Sequence, residues 1–168
     1  MICFIATKTT GLKPEKHEVI ELSIKPFGLE VVSFKVRPDR PELYEEHVQK
    51  INGLSREIVQ QFPDKETAKA SVLSLFNNIT PIGHYFKFDY GMLEASFGPE
   101  FLAQLFGANK AIDTAMLINN ANIACVNRGE PVMFKKDGLG KVAAQLGIPF
   151  THKCEVIEQV YKRIENGN

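Results

Sequence analysis

Apolar residues fall in short runs at the start of the chain and at helical spacing further on. Ile2 to Ala6 is a continuous apolar run and predicts a buried strand, and Thr7 to Glu15 is polar with Gly and Pro and reads as a loop. Val19 to Pro26 alternates around Val19, Ile20, Leu22 and Ile24, and Leu29 to Val36 makes a third strand after a Phe27-Gly28 turn. Glu42 to Gln49 predicts a helical turn or short helix, and Ser55 is placed to cap a helix through Ile58 and Val59. Lys65 to Asn78 carries Ala68, Val72, Leu75 and Phe76 at helical spacing. Ile79 to Tyr85 predicts a further strand, and Asp89 opens a helix through Met92, Leu93 and Phe97. Ala111 to Thr114 leads into another helix, Gly138 to Leu146 forms the next, and Thr151 starts the last, with Val156, Val160, Tyr161 and Ile164 on one face. Strands first and helices later, with intervening strands, predict an α/β fold on a central mixed sheet flanked by helices.

The length of 168 residues suits a single domain, taken as 1–168, with room for a sizeable core. The formal net charge is zero, so no overall basic field draws the chain to nucleic acid, although local patches are compatible with that total. The pair Lys135-Lys136 reads as solvated surface. Cys3, Cys125 and Cys154 form no metal-type spacing and predict free thiols in a reducing, cytoplasmic setting. Lys8 interrupts the apolar start, against a secretory leader, and no run approaches the roughly 20 apolar residues of a membrane span.

The chemistry sits in a few short motifs. Phe4-Ile5-Ala6-Thr7-Lys8-Thr9-Thr10-Gly11-Leu12 resembles the first motif of DEDD-type 3′–5′ exonucleases: an apolar strand, then Asp-x-Glu-Thr-Thr-Gly-Leu. Glu18 to Leu22 resembles the following strand, and Arg37-Pro38 and Ile51-Asn52-Gly53-Leu54-Ser55 resemble later family segments, with Asn52 where His is usual. Gly83-His84-Tyr85-Phe86-Lys87-Phe88-Asp89 is similar to the second motif, with Tyr85 for Asn. Ile112-Asp113-Thr114 and Leu139 to Ile148 match in order as well. The resemblance covers nearly the whole chain and implies the ribonuclease H-like exonuclease fold.

The same resemblance implies a damaged metal site. Family members hold two metal ions on the Asp and Glu of the first motif, the Asp of the second and an Asp of the third. Here those positions are Ala6, Lys8, Asp89 and either Ile157 or Lys153, depending on whether the third motif is anchored on His152 or on the final helix. His152 resembles the general base. Two-metal hydrolysis needs clustered oxygen ligands, and Asp89 alone remains as a candidate ligand. The expectation is therefore no cofactor, with the Lys8 ammonium in metal space paired to Asp89. Asp89 also reads as a helix N-cap, His84 as a hydrogen-bonded structural residue, His152 as a capping or exposed residue and Asp113 as a cap.

Two functions follow as expectations. The first is a catalytically inactive exonuclease-like domain that binds a nucleic-acid 3′ end or a protein partner, as inhibitor or scaffold. Thr9, Thr10, Gly11, Leu12, His84 and Tyr85 are then the candidate nucleic-acid contacts, with Tyr85 or Phe88 stacking a terminal base. The second is an active 3′–5′ exonuclease that uses Mg or Mn and recruits Glu155, Glu158 or Asp113. The sequence leaves the oligomeric state open.

Overall fold

The computed structural model describes residues 1–135 and 138–166, so Lys136 of the Lys135-Lys136 pair lies outside the described residues. A five-stranded mixed sheet runs in the order β3-β2-β1-β4-β5. β1 (Ile2–Thr9), β2 (Val19–Pro26) and β3 (Val32–Lys35) pair antiparallel. β4 (Thr80–Gly83) runs parallel to β1, and β5 (Ile112–Asp113) runs parallel to β4. The helices are α1 (Glu46–Asn52), α2 (Arg56–Val59), α3 (Lys65–Leu75), α4 (Phe86–Phe97), α5 (Pro99–Phe106), α6 (Thr114–Asn127), α7 (Leu139–Gln145) and α8 (Lys153–Glu165). No helix among the described residues is long and apolar enough to cross a membrane.

The two-residue period of β1 divides the core. Cys3 and Ile5 join Val72 of α3, Leu93 of α4 and Leu105 of α5 in one apolar cluster. Phe4 and Ala6 join Val142 of α7 and Val156, Ile157 and Val160 of α8 in another. A third cluster, Ile20, Tyr44, Val48 and Val59, ties α1 and α2 to the sheet.

The fold departs from the sequence expectations where pairing or packing outweighs local character. Thr7 and Lys8 are strand, not loop, because β2 supplies a ladder in the register Thr7↔Leu22 and Lys8↔Glu21. The register shifts between Lys8 and Thr9, which pairs with Val19, so one residue of β2 is left over there. β3 is shorter than Leu29–Val36, and β4 is shorter than Ile79–Tyr85. The expected helix from Glu42 to Gln49 is interrupted: a 3-10 turn at Pro41–Leu43 is followed by an extended Tyr44, whose side chain is buried in the third cluster, and α1 begins only after it. α3 stops at Leu75 rather than Asn78, since Phe76 turns extended into the core. α5 has no counterpart in the sequence reading. It lies between Gly98 and Gly107, both at positive φ, with Pro99 in its first turn and Phe101, Leu102, Leu105 and Phe106 buried.

Candidate functional site

The side chain of Lys8 lies over β2 and β3. Strand register puts Lys8 opposite Glu21 and Glu21 opposite Lys35, so three charged side chains form a cross-strand row. Lys8 Nζ is 3.5 Å from Glu21 Oε2, and Lys35 Nζ donates to the same oxygen. Burial alone would raise the pKa of Glu21, but Lys35 and Lys8 beside it bring it below the ordinary value. The expected Lys8–Asp89 pair is therefore corrected. Strand pairing takes Lys8 to Glu21, and the lysine facing Asp89 is Lys153.

Asp89 lies inside the first turn of α4, fully buried, rather than at its N-cap; the capping position is Tyr85, in the left-handed region at φ 57°. Asp89 Oδ1 accepts from the Thr7 backbone N–H at 3.0 Å and from the Thr7 hydroxyl at 2.6 Å. Oδ2 accepts from no described group, and Lys153 Nζ stands 3.8 Å from Oδ1. Burial raises the Asp89 pKa above the ordinary value, and Lys153 and Thr7 oppose this without reversing it.

The start of α8 supplies the opposite wall. His152 is its N-cap: Nδ1 accepts from Cys154 N–H at 3.2 Å, while Glu155 accepts from the His152 N–H at 3.3 Å. With Nδ1 as acceptor, the proton of the neutral imidazole is on Nε2. Burial lowers the His152 pKa, against the pull of Glu21 and Glu155. Glu155 also accepts from the Thr151 hydroxyl. Glu158 is turned to the β2–β3 hairpin, where it binds Lys25 and the Gly28 N–H, and it also pairs with Lys162 one turn along α8. Asp113 accepts from the N–H groups of Tyr85, Phe86 and Ala115, so it caps α6 and anchors the start of α4. These three acids, considered as replacement ligands, are thus held by other partners.

A cleft of about 290 Å³ opens between these walls, with Ala6, Thr7, Lys8, Glu21, His152 and Lys153 among its lining. Ile51 and Phe150 stand exposed at its rim. Of the residues singled out in the sequence, Ala6, Lys8, His152 and Lys153 meet here, and Ile157 lies behind them in the apolar cluster that contains Ala6. Thr9 and Thr10 do not line the cleft: the Thr9 hydroxyl donates to Gly11 O, and the Thr10 hydroxyl accepts from Glu18 N–H. Gly11 packs so tightly on His17 that a Cβ there would come within 2.5 Å of the ring, and Leu12 is exposed at the loop tip. His84 is buried, with Nδ1 2.9 Å from the Thr114 hydroxyl. Tyr85 borders a separate hollow with Met116, Asn119 and Phe134, and Phe88 packs against the core. Sequence reasoning missed Thr7, Glu21, Lys35, Ile51 and Phe150. Only the strand register, which pairs position 8 with 21 and 21 with 35, could have signalled any of them.

The exonuclease family whose model is called RNase_T matches residues 7–153. The chain belongs to this exonuclease family. Its mixed sheet flanked by helices is the DEDD-type, ribonuclease H-like fold expected from the motifs. Among solved structures, exonuclease I with SSB and an inhibitor superposes with a TM-score of 0.76 at 15% identity, covering 98% of this chain and 41% of that one. Exonuclease I of Methylocaldum szegediense gives 0.73 at 15%, with 98% and 40% covered. The metal-free E. coli exonuclease I–ssDNA complex gives 0.74 at 15%, with 98% and 39% covered. This chain thus spans about two fifths of the length of the exonuclease I chains it matches. At that identity the likeness establishes the fold. No curated protein matches the chain.

The DEDD exonuclease fold implies two divalent cations, and the donor set at this cleft does not fit them. Ala6 has no donor, Lys8 is an ammonium, and Asp89 faces a second ammonium at 3.8 Å. Among the described residues no three His, Cys, Asp or Glu side chains converge in a way that could hold a metal ion. A hard cation needs several oxygen ligands, and here the nearest charges to the remaining carboxylate repel it.

Proposed function

We propose that this exonuclease-family domain holds the end of a single-stranded nucleic acid in the Lys8–Lys153 cleft without hydrolysing it and without a metal cofactor. The observation that carries the reading is the Lys153 ammonium beside buried Asp89, where a metal-dependent exonuclease would need a cation. The fold is shared with an exonuclease I that has been described in complex with ssDNA, which is consistent with a strand as ligand. Without ligated metal there is no activated water, and His152, occupied as a helix cap, has no proton to abstract. The domain's work is to position a strand end between the cationic wall and the apolar rim. A protein partner is the second reading, favoured by Met116, Ile123 and Val126, which stand exposed along α6.

A labelled single strand incubated with Mg²⁺ or Mn²⁺ tests the proposal. The expected result is an intact strand together with a mobility shift that weakens as salt rises. Processive shortening at catalytic protein concentration overturns it in favour of an active 3′–5′ exonuclease. An intact strand with no shift at low salt favours the protein partner.

A further inference from the structure

The charges of the cleft are layered. Side-chain exposure is 4% for Glu21 and 1% for Asp89, but 38% for Lys8 and 36% for Lys153. Glu21 forms part of the cleft floor, Asp89 is buried behind Lys153, and the two ammonium groups form the accessible surface. Glu21 needs one counter-ion and has two, because Lys35 already donates to the oxygen that Lys8 approaches. Lys8 is thus in excess of what neutralises the floor. Both cleft lysines stand off their acids, at 3.5 and 3.8 Å, so each ammonium retains donors for a ligand. The protonated Nε2 of His152 belongs to the same wall, as does the N-terminus of α8.

We infer that this cleft selects a strand ending in a phosphate monoester over one ending in a hydroxyl, with Lys8 and Lys153 as the clamp. The inference rests on the end-binding reading above. An internal phosphodiester carries one negative charge, whereas a terminal monoester carries about −1.5 to −2 at pH 7 and offers three acceptor oxygens. Lys8 supplies the positive charge left over after the acids are paired, and the free donors of both ammonium groups suit the three oxygens of a monoester better than the two of a diester. A volume of about 290 Å³ is at the lower end of small-molecule sites and suits one terminal nucleotide rather than a run of strand. Exposed Ile51 and Phe150 at the rim give the terminal base an apolar face to lie against, a contact indifferent to base identity.

Fluorescence anisotropy in EDTA decides the point with a short oligothymidylate in three forms: 3′-phosphate, 5′-phosphate and hydroxyl at both ends. One phosphate-ended form is expected to bind about tenfold tighter than the hydroxyl-ended strand, the scale of added charge-assisted hydrogen bonds, and the arm that gains identifies the end. Inorganic phosphate should compete for that gain. Lys8→Gln and Lys153→Gln should each erase most of it while Lys8→Arg keeps it, with unchanged circular dichroism in all three. Equal affinity for all three strands overturns the phosphate selection and leaves end binding intact. A phosphate gain that survives both Gln variants removes it from this cleft. No binding of any strand overturns the end-binding reading itself.

Discussion

Glu21 and Asp89 are both buried beside β1, yet they are held in opposite ways. Glu21 lies on the face of the sheet that Lys8 covers, opposite one lysine on each neighbouring strand. Asp89 approaches the other face through Thr7, with one distant lysine and an oxygen that accepts nothing among the described residues. Their pKa shifts run in opposite directions. The Glu21 carboxyl is lowered, so its stabilisation is present above its ordinary value of 4.5 and is lost as pH falls through the folded value. The Asp89 carboxyl is raised, so what it contributes is present below its ordinary value of 3.8 and is lost as pH rises through the folded value. A buried carboxylate is therefore no single kind of evidence. Glu21 belongs to a satisfied cross-strand row, while burial works against the charged form of Asp89.

The sharpest way to break this comparison is to remove what Asp89 has left. Thr7→Val keeps the backbone donor and side-chain volume but removes the 2.6 Å hydroxyl bond to a buried carboxyl. Urea unfolding at pH 8 is expected to show a loss of about 2 kcal/mol, the scale of a hydrogen bond to a charged group. A loss below about 0.5 kcal/mol would mean that the Asp89 charge is already satisfied by other means.

Asp89→Asn sharpens the comparison from the other side. The amide keeps Oδ1 as acceptor for Thr7 and removes the buried charge. The variant is expected to be about 1 kcal/mol more stable than the parent at pH 8, because the desolvation penalty of the charge outweighs one half-exposed counter-ion. That advantage should shrink as pH falls through the folded value of the Asp89 carboxyl, which lies above its ordinary 3.8. Parallel unfolding curves across pH check it, and an advantage that grows on acidification would reverse the assigned shift. The corresponding Glu21→Gln change should be destabilising at pH 8, since it leaves Lys8 and Lys35 without their anion.

Much of the fold was legible because it is written locally: the apolar run at Ile2–Ala6, the helical spacing of Val156 and Val160, and the ordered motifs that carry the family resemblance. The Asp113 and His152 caps were legible for the same reason, as short-range hydrogen-bonding preferences. The partners of Lys8 and Asp89 were not. Lys8 is 13 residues from Glu21 and Asp89 is 64 residues from Lys153 in the chain. Their meeting depends on strand register and on where α8 docks, neither of which a polar residue in a short segment announces. The same holds for α5, whose two bounding glycines and four apolar residues resemble a loop until the neighbouring helices give that face something to cover.

The smallest expected effect separates structure from function at the row itself. Lys8→Gln removes one of two cations from Glu21, and the other, Lys35, remains hydrogen-bonded to the same oxygen. With 38% of its side chain exposed, the Lys8 pair is screened by solvent, and its loss should cost less than about 0.5 kcal/mol in urea unfolding at pH 8. The loss should not deepen at low salt by more than a surface pair's screening allows. A cost of about 2 kcal/mol would make Lys8 a structural counter-ion of Glu21, equivalent to Lys35. A near-silent variant leaves the ammonium without a stability reason to be there, and then its position at the open face of the cleft is explained by what the cleft binds.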